Sequence, residues 1–148
     1  MNSQRYNLLL ADDDTDDCIF FKEALQELPV TASLLTVHDG VELMQLLTTK
    51  ETTLPDVLFL DLNMPRKTGI ECLSEIKNNV KLKDLPIVIY STSCHTDTVD
   101  MLYSIGANYY IRKAAEFSNL KKTIHEVLIR IMQKNISKPG KDTFVVQP

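Results

Sequence analysis

Residues 57–69 read VLFLDLNMPRKTG. Five of the first six side chains are apolar, the pattern of a short strand covered on both faces. The exception is Asp61. Beyond it, Asn63, Pro65 and Gly69 mark a turn. A carboxylate beside a buried strand is costly unless something compensates its charge. The question the stretch poses is therefore what Asp61 is for.

Working outward, this run is the third of five. The others are NLLLA at 7–11, ASLLTV at 32–37, IVIYS at 87–91 and NYYIRK at 108–113, with DVLFLDL at 56–62 between them. Helix-like segments separate them. Ile19, Ala24 and Leu28, with Phe20 and Leu25 beside them, are expected on the buried face of the first helix. Val41, Met44 and Leu47 play that part in the second, and Ile70, Leu73 and Ile76 in the third. Leu120, Ile124, Val127, Leu128 and Ile131 give the clearest stripe. Asp39 with Glu42, and Thr68 with Glu71, have capping-box spacing, and Gly106 suits a left-handed helix end. Strict β-α alternation requires right-handed crossovers within one parallel sheet. The expected fold is α/β, a doubly wound five-stranded parallel sandwich. The pattern stops near Asn135. A domain over 1–134 is expected, followed by a flexible C-terminal tail over 135–148, where Pro-Gly and charges dominate.

The chain has 148 residues, a formal charge of −4 and 44% hydrophobic residues, which suits one globular domain. A mildly acidic chain is no general nucleic-acid binder. There is no signal-like segment and no membrane-length apolar run, so no membrane partner and a cytoplasmic location are expected. Cys18, Cys72 and Cys94 are odd in number and widely spaced, which fits buried thiols better than disulfides or zinc.

A parallel sheet binds ligands beyond the carboxyl ends of its strands. The polar residues collect there. The first strand runs into ADDDTDD, giving Asp12, Asp13 and Asp14. The third ends at Asp61, the fourth at Ser91 and Thr92, the fifth at Lys113. Two carboxylates about 5 Å apart repel by roughly 3 kcal/mol at an effective dielectric of 20. Lys113 supplies one compensating charge and a divalent cation would supply two. Hard oxygen ligands suit Mg2+, which is commonly shared with a phosphate oxygen. Asp61 is then a natural nucleophile toward phosphorus. The metal, the Lys113 ammonium and the Ser91 hydroxyl would each take one phosphoryl oxygen.

This constellation resembles the receiver domain of bacterial two-component response regulators, over about residues 5 to 133. The resemblance rests on the acidic pair after the first strand, FLDLNMPRKTG around Asp61, Ser91 after the fourth strand and Lys113 after the fifth. It implies the flavodoxin-like strand order 2-1-3-4-5 and a phosphoacceptor at Asp61. It implies magnesium ligands at Asp13, Asp61 and the Asn63 backbone carbonyl, with Asp12 acting mostly through water. Ser91, Thr92 and Lys113 would bind the phosphate. Ser91 and Tyr110 would form a switch in which Tyr110 turns inward on phosphorylation. The implied donor is a phosphohistidine on a sensor histidine kinase or a histidine phosphotransfer domain. The implied output is an unidentified protein meeting the fourth helix, fifth strand and fifth helix, a face that also suits a homodimer. No DNA-binding, cyclase or protease pattern follows the fifth helix, so a stand-alone receiver is expected, catalysing only its own phosphorylation and dephosphorylation.

Two positions depart from the common receiver pattern. Ala114 follows Lys113 where proline is usual. Cis costs about 2.5–4 kcal/mol before a residue other than proline, so a trans bond is expected there. Thr92 replaces a smaller residue and should narrow access to the acceptor. Outside the rim, Asp14 is expected to cap the first helix, Asp16 and Asp17 to be first-turn charges, and the three histidines to have no ligand role. Rival readings are weaker. An aspartyl-phosphate phosphatase would want a second acid two residues after Asp61, where Asn63 stands. A flavin phosphate would be repelled by ADDDTDD. An adaptor that works without phosphorylation has no need of the complete set of groups.

Overall fold

In the computed structural model, which describes residues 5–49, 53–92, 95–133 and 139–148, the run around Phe59 forms β3 (Val57–Leu60), with all four residues buried. β1 (Arg5–Ala11), β2 (Thr31–Val37), β4 (Ile87–Ser91) and β5 (Tyr109–Arg112) lie parallel to it, in the order β2-β1-β3-β4-β5. Between them run α1 (Thr15–Gln26), α2 (Gly40–Thr48), α3 (Gly69–Lys77), α4 (Thr96–Ile105) and α5 (Phe117–Met132). Side chains alternate across each strand. Leu9, Leu58, Leu60, Ile87 and Ile89 face the layer of α2, α3 and α4. Leu8, Leu10, Phe59, Val88 and Tyr90 face that of α1 and α5. These two dry layers fix the sheet, and the sheet fixes where each strand ends.

The helix starts follow their capping residues. The Asp14 carboxylate accepts from Asp17 N at 3.1 Å, as expected of a cap. Thr68 and Glu71 complete a reciprocal capping box. The box expected at Asp39 forms only by half. Asp39 accepts from Glu42 N, but the Glu42 carboxylate turns to His38 N at 2.7 Å. Gly106 ends α4 at φ 119°, where its N–H meets the carbonyls of Leu102 and Tyr103.

Two larger differences from the sequence reading lie in α1 and at the C-terminus. Ile19 is 52% exposed; Ala24 and Leu25 are buried as expected, and Cys18 and Phe21 complete the buried face in place of Ile19. Apolar residues at 18–21 offer two overlapping stripes. Phe21 wins because its ring fills the space against Phe59 and Tyr90, at centroid distances of 4.9 and 5.4 Å. The second difference is the C-terminal segment. Of the tail expected over 135–148, residues 135–138 lie outside the described residues. Residues 139–148 dock: a 3-10 turn (Lys141–Thr143) leads into β6 (Val145–Val146), a sixth strand parallel to β5. Phe144 is fully buried, with its ring edge-on to Tyr103 at 5.3 Å and Tyr110 at 6.3 Å. The Tyr103 hydroxyl donates to the Pro139 carbonyl at 2.9 Å, and Lys141 pairs with Asp100. Three apolar residues, Phe144 to Val146, are enough to cover the open edge of β5. Cys18 and Cys72 are buried, as expected, and Cys94 lies outside the described residues. No described helix is long and apolar enough to cross a membrane.

Candidate functional site

The sheet order reverses between β1 and β3, since β1 continues to β2 on one side and to β3 on the other. Asp12 and Asp61 follow those two strands directly. Each keeps a backbone bond of the ladder: Asp12 N donates to Val37 O at 3.0 Å, and Asp61 N to Ala11 O at 2.9 Å. The two carboxylates are thus carried to the switch point by the sheet itself. Both are buried, while Asp13 is exposed beside them. Carboxylate oxygens of Asp12, Asp13 and Asp61 come within 4.8 Å of one another.

The β3–α3 loop closes down on this cluster. Pro65 O accepts from Lys67 N at 2.7 Å, a γ-turn centred on Arg66, whose φ is 70°. Gly69 N then returns to Leu62 O, and any Cβ on Gly69 would lie 2.2 Å from Asp61 O. Glycine is required there by the close approach of two backbones.

Lys113 arrives from the far side. Its N–H donates to Ser91 O at 2.8 Å, which extends the β4–β5 ladder by one residue. The Lys113–Ala114 peptide is trans. The ammonium passes over the Tyr90 ring at 5.2 Å and ends among three carboxylates. Its Nζ lies 2.7 Å from Asp17 Oδ2, 2.8 Å from Asp12 Oδ2 and 3.4 Å from Asp61 Oδ2. The Asp12 contact is close in distance but off the hydrogen-bond direction, which leaves Oδ2 an ion-pair partner only. Asp12 Oδ1 accepts from Asp14 N at 2.9 Å.

These charges act on one another. Burial, and then the neighbouring Asp12 charge, push the Asp61 carboxyl up to about 6, against the opposing pull of Lys113 and the Asn63 N–H. Burial works against the Lys113 ammonium, yet its ion pair with Asp12, its hydrogen bond to Asp17 and the charge of Asp61 hold it above the ordinary lysine value. The Cys18 thiol is pushed up to about 11, by burial first and by Asp12 second, so it is not a nucleophile. Its Sγ serves instead as a donor to Asp12 O at 3.5 Å. The acids outnumber the cation, and one oxygen of Asp12 has no directed donor. Such a donor set fits a hard divalent cation.

The remaining expected residues fall into place unevenly. Ser91 is the last residue of β4 and is buried. By strand alternation it follows Ile87 and Ile89 onto the α4 side, the side where Tyr110 is buried. Tyr110 is inward in this structure, with Phe144 behind it. Thr92 and Asn63 are exposed at the rim. Asp17 takes a contact that reading it as a first-turn charge missed. Seeing it required knowing that α1 and α5 pack on the same face, which brings the loop before α5 over the start of α1. His38 likewise touches the site's frame, its Nδ1 lying 3.2 Å from Asp12 O.

Comparison with known proteins agrees with this arrangement. A family model described as the response regulator receiver domain matches residues 8–125. Response regulator Rcp1 of Synechocystis sp. is 32% identical over 124 residues, covering 81% of this chain and 84% of Rcp1. The crystal structure of the Mn2+-bound form of Rcp1 superposes with a TM-score of 0.76 at 29% identity, over 91% of this chain and 99% of that one. The phosphorylated cyanobacterial phytochrome response regulator RcpA superposes with a TM-score of 0.77 at 33% identity, over 93% of this chain and all of its own.

Proposed function

The chain belongs to the response regulator receiver family, and on that premise we propose that Asp61 accepts a phosphoryl group from a phosphohistidine. An Asp61 oxygen attacks phosphorus in line. The P–N bond to the donor imidazole breaks, its electron pair stays on the ring nitrogen, and an aspartyl phosphate remains. An acid near 6 is mostly carboxylate at neutral pH, which the attack requires.

The observation that carries this reading is the meeting of three acids and one ammonium at the switch point of the sheet. Mg2+ is the metal we assign to the cluster. Asp12, Asp13 and Asp61 would hold it with the Asn63 carbonyl, and it would neutralise charge on the phosphoryl oxygens. The likeness to Rcp1, which crystallises in a Mn2+-bound form, supports a divalent ion for this chain. Lys113 supplies a fixed positive charge toward the phosphoryl group. The Ser91 hydroxyl takes a further oxygen, and Thr92 stands at the entrance. Tyr110 shares the α4 side with Ser91 and serves as the second member of the switch.

The donor is a sensor histidine kinase or a phosphotransfer domain. The likeness to RcpA, a phytochrome response regulator, supports a light-sensing kinase as the donor class. The output is a protein that meets α4 and α5 beside the docked C-terminal segment, because β6 already occupies the edge of β5 that the expected α4–β5–α5 face would offer. A phosphatase is disfavoured because Asn63 cannot act as a general acid. The test is incubation with acetyl phosphate and Mg2+, followed by mass mapping. Label at Asp61 that needs the metal is the expected result. Label that survives Asp61→Asn undiminished would overturn the assignment.

A further inference from the structure

We propose that Asp17 is a positioning residue for Lys113, holding its ammonium on the α1 side of the cluster and yielding it when an anionic group is built on Asp61. This rests on the reading of Asp61 as the phosphoryl acceptor.

An ammonium has three donors, and here three carboxylates stand around it. Two of them, Asp17 and Asp61, take directed bonds from it, and a phosphoryl group on Asp61 adds a further anionic claim on the same single charge. The three are not equivalent. Asp12 is wholly buried, so losing its cation would strand a charge away from water. Asp61 is the acceptor and moves closer to Lys113 in effect once it carries the phosphoryl group. Asp17 is the partner that can leave at least cost, because its side chain is 34% exposed and water can replace the ammonium. Yet it makes the shortest contact, a directed bond of 2.7 Å against 3.4 Å to Asp61. Its place is well defined, since Asp17 N is bonded to the Asp14 cap at the start of α1. Asp17 therefore competes with the group on Asp61 for the same cation. It keeps Lys113 ordered beside the acceptor while making the anionic state harder to reach.

The test uses beryllium fluoride with Mg2+, a tetrahedral stand-in for a phosphoryl group on a carboxylate, titrated onto the full chain. Asp17→Asn should bind it about three- to tenfold more tightly than the unmodified protein, and Asp17→Glu should restore affinity to within about twofold. Asp16→Asn removes an equivalent first-turn charge without touching Lys113, so it should change affinity by less than about twofold. In a Lys113→Gln background the Asp17→Asn effect should shrink below about twofold, because the competition is for that ammonium. Unchanged or weaker binding by Asp17→Asn overturns the proposal. So does an Asp16→Asn effect of equal size, or an Asp17→Asn effect that persists in full without Lys113. An unmodified protein that neither binds the probe nor accepts phosphate would instead overturn the acceptor reading, and the role of Asp17 with it.

Discussion

Lys113 and Phe144 each close a gap between elements far apart in sequence, and they do it by opposite physics. Lys113 draws together Asp12, Asp17 and Asp61, groups that repel one another without it. Phe144 seals the edge of β5 by excluding water from Tyr103 and Tyr110. The apolar patch gains from every contact it makes. The charged cluster holds its acids at a cost, and an Asp61 carboxyl raised to about 6, by burial first and by the Asp12 charge second, records it. A surplus of negative charge of that kind is relieved by a cation, so the cluster responds to ligands where the patch only holds.

Truncation should therefore have opposite signs in the two regions. Phe144→Ala should cost up to about 3 kcal/mol, short of the usual large-to-small range because the short segment can undock rather than leave a cavity. Hydrogen exchange should show the Tyr110 amide, which donates to Phe144 O at 3.0 Å, losing protection while β3 keeps its own. Unchanged protection at Tyr110 would mean that the edge does not depend on Phe144. Asp61→Asn should instead stabilise the metal-free protein at pH 7, by about 1–3 kcal/mol in urea unfolding. A loss of stability would show that Lys113 more than compensates the cluster, and the contrast would fail.

The pH dependence sharpens the same contrast. With its folded value near 6 against an ordinary 3.8, Asp61 binds more protons in the folded chain than in the unfolded one between those limits. Its contribution is best at low pH, is lost as pH rises through about 6, and stays unfavourable above. The stability difference between Asp61→Asn and the unmodified protein should thus be near zero below about pH 4 and full above about pH 7. A difference independent of pH would remove electrostatics as its cause. The smallest effect expected is that of Thr68→Ala, which breaks the capping box of α3 and should cost about 1 kcal/mol with no change at β5.

The same contrast explains what the sequence made legible. β4 begins and ends where its apolar run does, and β3 lies within its own run. Asp12, Asp61 and Lys113 follow their strands directly and Ser91 ends its own, so the parallel order alone delivers all four to one edge. Charges in that position stand out because they are costly. Phe144 and its neighbours did not stand out, because FVV after Pro-Gly and two charged residues has neither helical nor strand length. Its meaning lies in the vacant edge it meets. Asp17 was missed for a related reason. Its local environment explains it fully as a helix-start charge, and only the packing of α1 and α5 on one face reveals Lys113 above it. The α1 stripe was misjudged where adjacent apolar residues offered two registers and ring packing decided between them.

Whether Asp61 is the acceptor is decided by a site-resolved mass measurement after exposure to acetyl phosphate, with and without Mg2+. The expected result is one added phosphoryl group on the peptide carrying Asp61, present only with the metal and absent in Asp61→Asn. A phosphoryl group on another residue, or equal incorporation by the Asp61→Asn protein, would contradict that role.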